Sequence, residues 1–313
     1  MPTHKGIQNI LKPVFDRLKE GDLNSACSLI ANILEDNLEN EDVKCTYTAI
    51  VFWKEKFSIS FMKHSLFERG EYLFSQWKLF LSYMKKYDER FEFVIYTLKV
   101  CMFKMIIDLY TEAIRINDFS NKTELYRKIG LSYKVLGNYE RAIEFLQYAS
   151  TLESSNSKVL AELADSYAMC GDERLSKVYF REAFFKDPEN IEEDFLESDI
   201  IRSVINKLKD MRFSGAELLV WLPVYAVLWR LFTVKRQLKA IELGKLKQDI
   251  FLLENMIKDK NNKNIRLDVP KLINSYFWLI DYYSQDGSNK SKIDEILLRI
   301  KLLNEDVYNQ YIR

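Results

Sequence analysis

Apolar residues recur at intervals of three and four along nearly the whole chain, the spacing that lines one face of an α-helix. Ile7, Ile10, Leu11, Val14, Phe15 and Leu18 mark one such face. After Gly21-Asp22, Ala26, Leu29, Ile30 and Ile33 mark another, so residues 5–37 are expected to form a helix pair. Gly70-Glu71-Tyr72, followed by Ser75, Leu79 and Ser82, reads as the second half of a further pair, with its first helix within 41–62. No breaker falls inside 89–117, which predicts one long helix or a degenerate pair. Downstream, 191–212 reads as one helix and 215–258 as a hairpin of long helices. The second arm of that hairpin spaces Leu243, Leu246, Ile250, Leu253 and Ile257 as a coiled-coil seam of two heptads. The polar stretch 258–264 is the best linker. A last pair follows, with Leu272, Tyr276, Leu279 and Tyr283 on one arm and Ile293, Leu297, Ile300, Leu303 and Val307 on the other.

Between Thr123 and Asn190 the chain repeats itself at a period of 34 residues without insertion. Tyr126 aligns with Leu160, Ile129 with Leu163, Gly130 with Ala164, Tyr133 with Tyr167 and Gly137 with Gly171. Ala142 aligns with Ser176, Leu146 with Phe180 and Ala149 with Ala183. Each unit is two helices broken by Gly-Asn or Gly-Asp, a turn that glycine eases by accepting positive φ. Gly130 and Ala164 are small where the first helix must approach the second, and Ala142/Ser176 and Ala149/Ala183 are the matching small residues opposite. One unit cannot bury its apolar face alone, so stacking is obligatory.

This order of small, aromatic, glycine and small positions resembles the tetratricopeptide repeat. The resemblance implies an all-α fold, a right-handed α-α superhelix of helix hairpins. It departs at Ser154, where a proline is usual, and at Ser176, where an alanine is. It also implies a concave groove lined by each unit's first helix, holding a partner's extended peptide or helix. Carried over position by position, that groove comprises Glu124, Arg127, Leu131, Lys134 and Val135 in the first unit. The second unit contributes Lys158, Ala161, Asp165, Ala168 and Met169. Leu131 and Asp165 stand where a chaperone-type carboxylate clamp requires asparagines, so that clamp is not implied. Arg127 and Lys134, seven residues apart on one face, are expected to meet acidic groups of a partner.

The run AELLVWLPVYAVLWRLFTVKRQLKAIELGKLKQ resembles an extension found on a group of spirochaete tetratricopeptide-repeat proteins, some of which build the collar of the periplasmic flagellar motor. Within it Trp221, Tyr225, Leu228, Trp229 and Phe232 occupy more than one face of a helix that Pro223 is expected to bend. Either neighbouring helices cover every face, or Trp221, Tyr225, Trp229 and Phe232 form a second interface for another copy or a structural neighbour.

Composition narrows the chemistry. The 313 residues are 48% hydrophobic and include only 9 glycines and 5 prolines, which favours long helices over a sheet that needs frequent turns. Lysine plus arginine equals aspartate plus glutamate at 46 each, so no basic field points to nucleic acid. Cys27, Cys45, Cys101 and Cys170 lie at irregular spacing among apolar residues and read as buried reduced thiols. His4 and His64 lack ligand-spaced neighbours and read as surface residues; no metal, cofactor or catalytic motif is expected. The acidic stretches 35–42 and 189–194 lack the spacing of a calcium loop and read as solvated helix starts. The first ten residues lack a secretory apolar run, and 218–229 is too short for a span of about 20 residues.

The expected organisation is therefore degenerate helical repeats over 1–120, two tandem units over 121–190 and a helical extension over 191–313. The expected function is a non-enzymatic adaptor or scaffold, cytoplasmic by default. The alternative is a structural subunit of a bacterial cell-envelope machine such as the flagellar collar, as a homo-oligomer or within a multi-subunit assembly.

Overall fold

The computed structural model describes residues 4–57, 59–85, 92–285 and 290–313. Their regular secondary structure is all helical, with no strand among them. The chain divides into two compact units, Met1–Leu152 and Glu153–Arg313.

The first unit holds α1 (His4–Lys19), α2 (Leu23–Asp36), α3 (Glu41–Lys54), the single turn α4 (Ile59–Met62), α5 (Leu66–Met84), α6 (Glu92–Ile116), α7 (Lys122–Val135) and α8 (Tyr139–Leu152). Consecutive helices pack as pairs, and α6 is central, touching α1, α3, α5 and α7. Its core is aromatic: Trp53, Trp77, Phe80, Phe74 and Phe103 stack or meet edge to face at centroid separations of 5.3–6.0 Å. The 5–37 pair is present as α1 and α2. Of the 89–117 stretch, Glu92–Ile116 form the single helix α6, and residues 89–91 lie outside the described residues.

Gly70 corrects one expectation. It lies inside α5, not at a turn, and α5 pairs with α6, so it belongs to a first helix. A Cβ there would collide with the Tyr110 ring of α6, so glycine lets the two helices approach. Tyr110 then reaches Glu71 with its hydroxyl at 2.6 Å.

Three interhelix turns share one design. Gly21, Gly137 and Gly171 have φ of +85°, +79° and +83°. In each, the glycine amide and the next amide bond back to the last turn of the preceding helix, with Asp22→Arg17, Asn138→Tyr133 and Asp172→Tyr167 all at 2.9 Å. The residue after each glycine then caps the next helix: Asp22, Asn138 and Asp172 accept from the amides of Ser25, Arg141 and Leu175 at 3.0, 3.2 and 3.0 Å. The turn of α1–α2 thus matches those of α7–α8 and of the second unit's first pair.

The second unit holds α9 (Ser157–Met169), α10 (Glu173–Lys186), α11 (Asp199–Asp210), α12 (Gly215–Leu228), α13 (Ala240–Lys258), α14 (Ile265–Ser284), α15 (Lys290–Leu303) and α16 (Glu305–Tyr311), with 3₁₀ turns at Pro188–Asn190 and Glu193–Phe195. Three expectations change here. Helix α11 starts only at Asp199, because the preceding backbone is held in 3₁₀ and extended form. The 215–258 segment is not a hairpin: α12 and α13 both pack on α14, and residues 229–239 join them without helix. The last arm breaks at Asn304, whose side chain caps α16 by accepting from the Val307 amide at 3.0 Å, so Val307 leaves the α15 face. The seam on α13 keeps Leu246 and Ile250 buried, with Leu243, Leu253 and Ile257 packed against the same core.

Helix α12 is apolar on all sides because α10, α11, α14 and α16 surround it. It continues through Pro223 as one helix, and it meets α11 at a bend of 119°. No single helix among the described residues is long and apolar enough to cross a membrane. Beside this core Arg181 is buried over the Trp278 ring, donates to the Val234 carbonyl at 2.9 Å and pairs with Asp281. Asp281 also pairs with Lys235 at 2.9 Å. That charged cluster fixes the 229–239 connection against α10 and α14.

Candidate peptide-binding face

In the first tandem unit, Gly130 faces α8 closely: a Cβ on it would stand 2.7 Å from Leu146 Cγ and 3.2 Å from the Ala142 carbonyl oxygen. Ala142, Leu146 and Ala149 are fully buried there. The small positions read from the repeat therefore mark the true helix contact. The aromatic positions pack beside it, Tyr126 on Tyr148 at 4.3 Å and Tyr133 on Phe145 at 5.4 Å between ring centroids.

The groove positions of α7 do not have the character expected of them. Arg127 is 1% exposed and Lys134 2%, so neither presents a solvent-facing cation. Arg127 is clamped by Glu124 through Nε–Oε2 and Nη2–Oε1 contacts, both 2.7 Å. Leu131 is buried and Val135 half-buried. One residue along from Arg127, Lys128 reaches Glu71 of α5 at 2.8 Å, the same carboxylate that accepts from Tyr110. Burial raises the Tyr110 hydroxyl's pKa, with the Glu71 charge adding, and keeps it a neutral donor.

The groove positions of α9 are occupied. Buried Asp165 accepts the backbone amides of Glu197 and Ser198 at 2.8 and 2.9 Å. Lys158 pairs with Glu192 at 2.8 Å. Leu196 is fully buried and Ile191 nearly so, in the same apolar cluster as Leu160, Ala161 and Ala164. Ala168 and Met169, toward the C-terminal end of the helix, remain half-buried. The residues that the repeat assigns to a groove thus grip the chain's own segment 191–198. Sequence reading misses that segment because the acidic run 189–194 has the character of a helix start and Ile191, Phe195 and Leu196 continue into Ile200 and Ile201 at helical spacing.

The proposed second interface lies inside the fold. Trp221, Tyr225 and Phe232 are buried and Trp229 is half-buried, with Phe213 against Trp221 and Lys207 over the Trp229 ring at 5.0 Å. Internal packing, not a free face, accounts for these aromatics.

The remaining concavity of note in the second unit is a cleft of about 680 Å³. Its wall mixes Phe184, Phe185 and Leu253 with Lys186, Lys245, Asp249 and Glu242. Among the described residues no group of three or more His, Cys, Asp or Glu side chains is arranged to hold a metal. His64 stays near the surface, 3.6 Å from Glu68. No known family model matches this sequence, and no curated protein matches it either.

Proposed function

We propose that the chain is a non-enzymatic adaptor of tetratricopeptide type, a superhelix of helix hairpins that holds an extended peptide or helix of another protein against its first helices. The observation that carries this reading is the face of α9. Lys158 and Asp165, assigned to a groove by repeat register, hold the 191–198 segment through a charge and a backbone clamp, and Ala161 belongs to the same buried apolar cluster as Ile191 and Leu196 of that segment. The recurrent Gly-Asn/Asp turns and the close Gly130–Leu146 approach support the same repeat architecture.

The test is differential capture from native cells, read by mass spectrometry. Ala168→Arg and Val135→Arg alter half-buried groove positions, and Glu144→Arg, exposed on α8, serves as control. The groove variants are expected to lose the proteins that both parent and control retain, with the helical spectrum preserved. Equal capture by all four would reject the adaptor groove.

A further inference from the structure

Resting on that reading, we propose that the face of α9 is a site for an acidic peptide with a leucine anchor, held in the mixed 3₁₀ and extended path of residues 191–198, and that this segment is its built-in occupant. The clamp is indifferent to side chain: Asp165 takes the two successive backbone amides, Glu197 and Ser198, that lead into α11, and any chain following the same path after its 3₁₀ turn can supply them. Selectivity comes from the flanks. Lys158 asks for a carboxylate where Glu192 now sits, and the buried apolar cluster that includes Leu160, Ala161 and Ala164 takes an apolar side chain where Leu196 now sits. Sequence inside the segment, Ile-Glu-Glu-Asp-Phe-Leu-Glu-Ser, matches these demands.

The segment's hold is limited. Its two ion pairs, Lys158–Glu192 and Lys209–Glu193, are both partly exposed, so water and salt weaken them. It forms only one 3₁₀ turn of its own, Glu193–Phe195. Ser198 Oγ and Glu193 Oε2 are buried without hydrogen-bond partners, so the fit leaves polar atoms unsatisfied. A partner peptide of the same chemistry therefore competes with the segment for α9, and the segment sets a threshold that such a partner must exceed.

A fluorescent peptide of residues 190–199 is titrated into the full chain and followed by anisotropy. Parent protein is expected to bind it weakly. Glu192→Lys, which breaks the segment's ion pair with Lys158 and leaves α9 intact, is expected to tighten binding at least tenfold, and Leu196→Ser further. Adding Asp165→Ala to either variant should remove the gain. Peptides carrying lysine at the Glu192 position or serine at the Leu196 position should fail. If Glu192→Lys keeps its helical spectrum yet binds no tighter than parent, the segment is a fixed wall and the inference is wrong.

Hydrogen exchange on the parent decides independently of any variant. Exchange at the Glu197 and Ser198 amides well ahead of Val204, Ile205 and Leu208 in α11 is the expected result, and exchange at the same rate overturns the proposal. Should Ala168→Arg lose cellular partners while no variant binds the peptide, the adaptor reading survives and this inference alone falls. If Ala168→Arg loses none and the peptide is never bound, both fall.

Discussion

Gly130→Ala isolates the contact on which the repeat architecture depends. The added methyl would lie 2.7 Å from Leu146 Cγ, 3.1 Å from its Cδ2 and 3.2 Å from the Ala142 carbonyl oxygen. Cγ is a branch point, not the free end of a side chain, and Leu146 is fully buried, so it has little room to yield. Overpacking of this kind costs about 1–3 kcal/mol. Alanine also favours helix over glycine by about 1 kcal/mol. The two effects oppose, and packing wins by roughly 0–2 kcal/mol. Gly244 in α13 supplies the contrast: it has helical φ and nothing within 4 Å of its added Cβ, so Gly244→Ala should stabilise by about 1 kcal/mol.

The two glycines sit in different compact units, which need not unfold together, so a double-mutant cycle within the first unit is the cleaner measurement. Leu146→Ala alone should cost about 2–5 kcal/mol through its cavity. In that background the Gly130 methyl has space, and Gly130→Ala should turn stabilising by about 1 kcal/mol. The cycle should therefore show a coupling of about 1–3 kcal/mol, read from urea unfolding followed by far-ultraviolet circular dichroism. If Gly130→Ala is equally stabilising in both backgrounds, the helices do not approach as described and the repeat register is wrong.

Further substitutions test the same picture. Ser176 occupies the alanine position of the second unit with its hydroxyl buried and without a partner, so Ser176→Ala should stabilise by about 1–2 kcal/mol on urea unfolding. Arg127→Glu buries a second carboxylate beside half-buried Glu124 and should destabilise by at least about 3 kcal/mol. That reverses the expectation drawn from an exposed groove, in which stability would be unchanged. A thiol reagent at neutral pH should modify Cys170 rapidly and Cys27, Cys45 and Cys101 only on unfolding, counted by intact mass. Burial pushes the Cys45 thiol up to about 12, with Asp42 and Glu41 adding, and the Cys101 thiol up to about 11, so both stay protonated as well as covered.

The repeat is legible because its determinants are local. Gly137 and Gly171 need positive φ, Asn138 and Asp172 cap the next helix, and small residues mark the contact; each acts within about one unit's length. Gly70 misleads for the same reason: next to an acidic residue it has the look of a turn, and only the ring of Tyr110, forty residues on, shows that it is a packing glycine. Arg127 and Lys134 illustrate the limit for a site. Their seven-residue spacing does place them on one face, but periodicity cannot say whether that face meets water or protein, and here both are buried. Cys170 fails in the opposite direction, since a turn exposes it beside Gly171 despite apolar neighbours.

In the C-terminal half the sequence carries the right question and leaves the answer to long-range packing. An all-round apolar helix such as α12 requires neighbours on every side. Those neighbours are α10, α11, α14 and α16, drawn from a span of over a hundred residues, and no spacing rule reaches that far. Two arms of one hairpin could have covered only part of that surface. Insertion of α14 against both α12 and α13 resolves the demand, with the linking residues 229–239 held by the Arg181 and Asp281 cluster. Because Arg181 is buried, removing it would leave Asp281 with Lys235 as its remaining cation and release the Val234 carbonyl that ties the connection to α10. The aromatics of α12 are thus needed to build the unit that carries α9.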